Sequence, residues 1–316
     1  VSANDFRGVD VVVLGEPLVE ISTHGPITAG IDCRLGVSGD VVNTAAAAVA
    51  AGAQVAVITR VSRDELGTAV IDRLAEMGAD TRFVRRGDSF QGMYVQYADP
   101  LGERQFCYAR GGSAASRLSP DDLPGGLLEN AGAVLVSGIA AALSATARAT
   151  VLEAARRSQR FVYDPNYRQR LTTPQEASAV LREIAPHCAL VTPSAPHECA
   201  TLLGTESPAE AAALLRAAGA GAVAVTCGAT GVHVDADTVH WQPAFPAPAV
   251  VDQTGAGDVF AGTVTARLAL GDDLRTAVRL GAAAASLAVG GAGGSGGIAP
   301  LDVVRTHAAS HSGVSA

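Results

Sequence analysis

Two kinds of apolar pattern alternate along the chain. Continuous runs rich in Val read as buried strands: 9–14, 55–59, 133–138, 161–164, 190–192 and 222–226. Ala-rich stretches with helical spacing lie between and after them, from Asp40 to about Ala51, Asp64 to about Gly78, Ser144 to Arg157, Val259 to Leu270 and Leu274 to Val289. A further short strand is expected over 80–84. Strand, loop and helix recur without an intervening linker, which predicts an α/β fold: one doubly wound, mostly parallel sheet within a single domain over 1–316.

One segment breaks the rhythm. Gly92–Tyr97 alternates with period two, 99–102 turns, and Arg104–Arg110 alternates again, so a β-hairpin is predicted inside the α/β chain. Together with the extended residues after the first strand, it forms the expected small β-sheet lid, drawn from about 16–36 and 88–112. The Pro-rich stretch 242–248 reads as an extended crossing segment, and 306–316 as a disordered tail. The glycine run 290–297 reads either as a helix stop or as a flexible loop near a nucleotide.

Composition narrows the chemistry. With 48% hydrophobic and 17% charged residues over 316 positions, the chain can bury a large core. A net charge of −8 argues against nucleic acid and anionic membrane surfaces as partners. The five cysteines are scattered and form no CxxC pair, so neither a disulfide framework nor a zinc site is expected, and they suit a reducing, cytoplasmic setting. No signal segment and no apolar run of about 20 residues is present, which predicts a soluble protein. All 23 basic residues are Arg and none is Lys. That excludes a Walker A loop, Schiff-base and pyridoxal chemistry, and lysine-dependent protein kinases. Phosphate chemistry here must use Arg, backbone amides and metal.

The candidate centre is 251–262, Val-Asp-Gln-Thr-Gly-Ala-Gly-Asp-Val-Phe-Ala-Gly. Gly255, Ala256 and Gly257 lead into a helix, so backbone N–H groups converge at its N-terminus beside Asp258, an anion cradle with a potential base. The same residues also fit a plain glycine turn whose carboxylate complements the helix dipole. Elsewhere, Gly39 permits close approach of a ligand, and Asp40 and Asn43 share one face of a helix's first turn. Tyr108 and Arg110 share one strand face beside Gly111-Gly112. Asp164, Asn166 and Arg168 follow a strand end, where open α/β sheets bind ligands. Each set also has a structural reading: a helix start, a solvated Arg and a Pro turn.

Gly15-Glu16, Ser38-Gly39-Asp40 with Asn43, Asp164 with Asn166, and Thr254-Gly255-Ala256-Gly257-Asp258 followed by Val-Phe-Ala-Gly occur in the order found in the ribokinase-like (PfkB) carbohydrate kinases, which the chain resembles over nearly its whole length. Within that family, 108–116 and 164–171 look most like 2-keto-3-deoxygluconate kinases. The resemblance implies ATP and Mg²⁺ as cofactors, with a monovalent cation as a further expectation; an exposed edge of the lid sheet favours a homodimer paired through the lid. It implies that Asp258 is the base and that Gly255, Ala256 and Gly257 form the anion hole. Tyr94, Tyr108, Arg110 and Arg168 would contact a sugar acid lying against Gly39, while Thr226, Gly228, Thr230 and Gly231 would belong to the ATP site. Two guanidiniums in one pocket match a carboxylate or phosphate better than a neutral sugar. The loop 193–198 lacks the Asn of the family's Asn-x-x-Glu, so only Glu198 carries over to the magnesium shell, through water.

Three rival readings remain open at the sequence level. One is a kinase for ribose, fructose or a phosphorylated hexose. A second is a nicotinamide-dependent oxidoreductase, disfavoured by the spacing after Gly257 and by the motif's late place in the chain. The third is a non-catalytic sugar-binding relative.

Overall fold

The computed structural model describes residues 8–23, 25–99 and 104–310. Thirteen strands occur among them: β1 (Val11–Leu14), β2 (Leu18–Ser22), β3 (Arg34–Ser38), β4 (Val55–Ser62), β5 (Val84–Gly87), β6 (Met93–Ala98), β7 (Arg104–Ala109), β8 (Ala133–Ser137), β9 (Phe161–Asp164), β10 (Cys188–Val191), β11 (Val223–Thr226), β12 (Gly231–Asp235) and β13 (His240–Pro243). Nine form one sheet in the order β13-β12-β11-β10-β9-β8-β1-β4-β5. The strands from β11 to β5 run parallel, and β12 and β13 close one edge antiparallel.

Strands β1, β4 and β8 are almost wholly buried, as their continuous Val-rich runs require in a sheet covered on both faces. One face, including Leu14, Val136, Phe161 and Tyr163, packs on the helices Ala145–Arg157 and Pro174–Ile184. On the other, Leu135, Val162 and Leu190 pack on the helices Ala256–Ala269 and Leu274–Ala288. Local signals start these helices. Asp64 accepts from the amides of Leu66 and Gly67, and Thr173 forms a capping box with Glu176 ahead of Pro174.

Strand order sets the position of the cleft. From β1 the chain builds outward to β4 and β5, then returns to lay β8 on the other side of β1. The switch in direction between β1 and β8 leaves a crevice beyond their carboxyl ends. Glu16 and Gly138 follow β1 and β8 at that edge, and Asp164 ends β9 there.

The second sheet has the order β3-β2-β6-β7. Its β2–β3 and β6–β7 pairs are antiparallel and its β2–β6 pair parallel. Register pairs Glu20 with Tyr94 and Tyr94 with Tyr108, so these three share a face. Phe106 joins them, its ring centroid 5.9 Å from that of Tyr94.

Some expectations shift. The strand expected over 80–84 is a single bridge at Asp80 followed by β5. The β12–β13 hairpin was not expected; β13 takes up the start of the Pro-rich stretch. The tail is ordered as far as Ser310, because Leu301–Ser310 is a helix that buries Val304 and Ala308 against the main core. Expected disorder over 306–310 is thereby corrected, while 311–316 and most of the hairpin turn at 99–102 lie outside the described residues. No described helix is long and apolar enough to cross a membrane.

Candidate active site

Helix Ala256–Ala269 begins at Gly255, which has φ +81 and supplies no side-chain cap; the Ala256 amide donates to the Gln253 carbonyl at 3.3 Å, and those of Gly257 and Asp258 have no acceptor among the described residues. A Cβ on Gly255 would lie 2.4 Å from the carbonyl oxygen of Gly294. Only glycine permits both the left-handed backbone and that approach. The glycine run therefore backs the turn, and a Cβ on Gly294 would in turn lie 2.3 Å from Asn43 Nδ2.

Asp258 lies in the first turn of this helix. Asn43 Nδ2 donates to its Oδ2 at 2.8 Å, and Asn166 Nδ2 donates to its Oδ1 at 3.2 Å. Asn166 holds a left-handed backbone, φ +40, its amide donating to Asp164 Oδ1 at 3.1 Å; Asn tolerates this region where β-branched residues do not. Burial raises the Asp258 carboxyl above its ordinary pKa, opposed by Asn43, by the field of Arg168 and by Asn166. Asp164 is pushed well up by burial and then by Glu198 and Asp258.

Asp40 follows Gly39, whose φ of +112 brings it so close to the Glu16 carbonyl that a Cβ would stand 2.3 Å away. Asp40 Oδ1 accepts from the Glu16 amide at 3.2 Å. Burial, then the charges of Asp258 and Glu16, raise its carboxyl to about 7. Glu16 is fully buried, paired with Arg110 and accepting from Ser113 Oγ at 3.2 Å. Its pKa is also raised, because desolvation outweighs Arg110.

The two expected sugar-acid arginines thus differ. Arg110, expected to contact the sugar acid, is engaged by Glu16 and lies 5.4 Å over the Tyr108 ring. Its Nε is buried without a partner. Arg168 is exposed and forms no ion pair among the described residues; its Nη1 donates to the Tyr167 carbonyl at 3.3 Å, and its field reaches Asp164 and Asp258. Tyr94 is buried on the lid, and its hydroxyl donates to Glu20. Asn43 Oδ1 is a second buried atom without a partner.

The expected nucleotide loop follows β11, joined by a bridge between Ser194 and Thr226 to the 193–198 loop. Thr226 Oγ donates to the Pro193 carbonyl at 3.3 Å and Thr230 Oγ to the Cys227 carbonyl at 2.8 Å, so both hydroxyls also shape the loop. Gly228 has φ +55. Gly231 is required by the hairpin, since a Cβ there would stand 2.3 Å from the Gln242 carbonyl. Glu198 Oε1 accepts from the Tyr167 amide at 2.6 Å and Oε2 from the Ser194 amide at 2.7 Å. Among the described residues no cluster of three metal-ligating side chains occurs. A cavity of about 320 Å³ lies behind the 164–172 loop, lined by Ile139, Tyr163, Val180 and Leu202; it shares only Asn166 and Arg168 with the acid cluster.

Beyond the expected residues, the site includes Glu16, which is only a motif position in the sequence, and Ser113, Asp252 and Arg104. Asp252 had a usable signal, a carboxylate two residues before a glycine turn. Arg104 had none, because its partner is 148 positions away.

A parallel α/β sheet with a β lid and a carboxylate at a helix N-terminus over the switch point defines a small-molecule enzyme of the phosphate-handling kind. The chain belongs to the pfkB family of carbohydrate kinases, whose model matches residues 11–300. It is 34% identical over 289 residues to the 2-dehydro-3-deoxygluconokinase of Thermoproteus tenax, covering 89% of each chain. It is 29% identical to the 2-dehydro-3-deoxygalactonokinase of Haloferax volcanii, over 88% of this chain and 90% of that one. Its fold matches a ribokinase-like protein of E. coli solved with ATP and Mg²⁺, with a TM-score of 0.85 at 24% identity, over 96% of this chain and 100% of that one.

Proposed function

We propose that this carbohydrate kinase transfers the γ-phosphoryl group of ATP to a hydroxyl of 2-keto-3-deoxygluconate, also called 2-dehydro-3-deoxygluconate, forming its 6-phosphate and ADP. The observation that carries this reading is the carboxylate of Asp258, held by Asn43 and Asn166 at an uncapped helix N-terminus with the unpaired Arg168 acting on it. The substrate oxygen bonds to the γ-phosphorus as the bond to the bridging β–γ oxygen breaks, and the hydroxyl proton passes to Asp258. Amides at Gly255, Ala256 and Gly257 receive the charge of the transferring group. A raised Asp258 pKa favours uptake of the proton, and a loose transition state demands little basicity.

Arg168 and Arg110 Nε receive the sugar's carboxylate, and Asn43 Oδ1 a hydroxyl, which gives partners to two of the buried polar atoms that lack them. Tyr94 and Tyr108 face the sugar from the lid, with Gly39 and Asp40 beneath it. Thr226, Gly228, Thr230 and Gly231 form one wall of the nucleotide site. Asp164 and Glu198 fit a magnesium ion bound through water and phosphate, since their mutual repulsion would be relieved by a cation. Held there, that ion would supply charge neutralisation on the phosphates. The lid closes over the sugar to exclude water, and a second copy pairs at the β3 edge, where Leu35 is exposed.

The test is ADP release across 2-keto-3-deoxygluconate, its galacto epimer, gluconate, ribose, fructose and fructose 6-phosphate, repeated with and without K⁺. Turnover confined to neutral or already phosphorylated sugars would reject the acid-sugar reading, and preference for the galacto epimer would favour the activity named for the Haloferax relative.

A further inference from the structure

We infer that Arg104, on lid strand β7, is a positioning residue that holds the turn Asp252–Gly257 in its anion-receiving form, so that the phosphate cradle is complete only when the lid strand lies against it. This rests on the kinase reading above, in which that turn receives the transferring phosphoryl group.

Asp252 is the junction. Its side chain is 3% exposed and ion-paired with Arg104. Its Oδ1 accepts from the Thr254 amide at 2.9 Å, and its Oδ2 from the Gly293 amide at 2.9 Å. One carboxylate therefore ties together the turn, the glycine run that backs Gly255, and the lid. Arg104 adds a second bond to the turn, its Nη1 donating to Thr254 Oγ1 at 3.1 Å. Both bonds leave from the same nitrogen, Nη1, whose two N–H groups can serve one partner each. Because the chain has no Lys, this role falls to arginine.

Two other arginines tie the lid hairpin to the main sheet's cleft. Arg110, just past β7, pairs with Glu16, and Arg170 Nη1 donates to the Phe106 carbonyl at 2.7 Å. Arg110 and Arg170 hold the end and middle of the hairpin's second strand, whereas Arg104 alone among the three reaches the phosphate-binding turn. Despite burial, Asp252 keeps a lowered pKa, with Arg104 the first of the opposing causes, so the carboxylate stays ionised and continues to accept from both amides.

Arg104→Ala and Arg104→Lys are compared with the parent enzyme by steady-state kinetics and by hydrogen exchange of the peptide spanning 250–260. Expected for Arg104→Ala is a fall in kcat of about tenfold or more, with KM for the sugar changed less than about threefold, and faster exchange in that peptide. Arg104→Lys should recover the exchange protection only in part. Unchanged exchange in Arg104→Ala overturns the inference, whatever the activity. So does a loss confined to KM for the sugar, which would make Arg104 a substrate contact. A parent enzyme inactive on every sugar would reject the kinase reading instead, leaving the exchange result to judge Arg104 by itself. Should Arg104→Ala fail to fold, Arg104→Gln is measured in the same way.

Discussion

Asn43 Nδ2 donates to Asp258 Oδ2 at 2.8 Å, joining two helix starts 215 positions apart in the chain. The contact depends on glycine at two places. Gly262 lets the helix of Asp258 approach that of Asn43 so closely that a Cβ would stand 2.5 Å from the Thr44 carbonyl, and Gly294 leaves room for the Asn43 amide.

Asp258→Asn removes the proton acceptor and keeps the volume. Turnover should fall about 10²- to 10⁴-fold with the melting temperature near that of the parent. Steady-state ADP release and a thermal melt check both halves, and near-normal turnover would reject Asp258 as the base.

Gly294→Ala places a methyl carbon 2.3 Å from Asn43 Nδ2. The displaced amide should misplace Asp258 and lower kcat/KM by about 10²-fold. Gly125→Ala is the control, because a Cβ there meets nothing within 4 Å and its φ is not positive; its kinetics should match the parent.

Arg168→Ala and Arg110→Ala should part company in stability. Arg168 is exposed and forms no ion pair among the described residues, so its removal should change the unfolding free energy by less than about 0.5 kcal/mol while raising KM about 10- to 100-fold for acidic sugars only. Arg110→Ala strands the buried Glu16 carboxylate at a cost of about 3 kcal/mol. That deficit should shrink as pH falls, because a protonated Glu16 needs no cation. Urea titrations at two pH values test it, and adding Glu16→Gln should restore part of the loss.

Asp40 links stability to pH. Its pKa rises from 3.8 to about 7 on folding, so between those values the folded state binds the extra proton and stability declines as pH rises. Asp164 and Asp258 are shifted in the same direction. Asp40→Asn should flatten the decline between pH 5 and 7.5 and gain on the parent above pH 7. An equal slope in variant and parent urea midpoints would contradict it.

The fold class was legible because parallel strands buried on both faces write continuous apolar runs, and helices between them write Ala-rich periodicity. Asp258, its glycine turn, Asn43 and Asn166 were legible for a related reason: backbone amides at a helix start and a left-handed Asn are local features that restrict which residues can stand there. The β12–β13 hairpin was missed because its strands mix apolar residues with polar ones such as His233, Asp235, His240 and Gln242, and so write no continuous apolar run.

What the sequence by itself determined is a doubly wound α/β chain with a β insert, no Lys, and an anion-receiving turn with a carboxylate beside it. Only the tertiary structure decided which charges oppose which: Glu16 engages Arg110, Asp252 engages Arg104, and Arg168 is left without an ion pair among the described residues. The physical reason is range. Helix starts, turns and strand periodicity are set by neighbours a few residues away, whereas the partners of Arg110 and Arg104 stand 94 and 148 positions off and meet them only when the lid packs over the sheet.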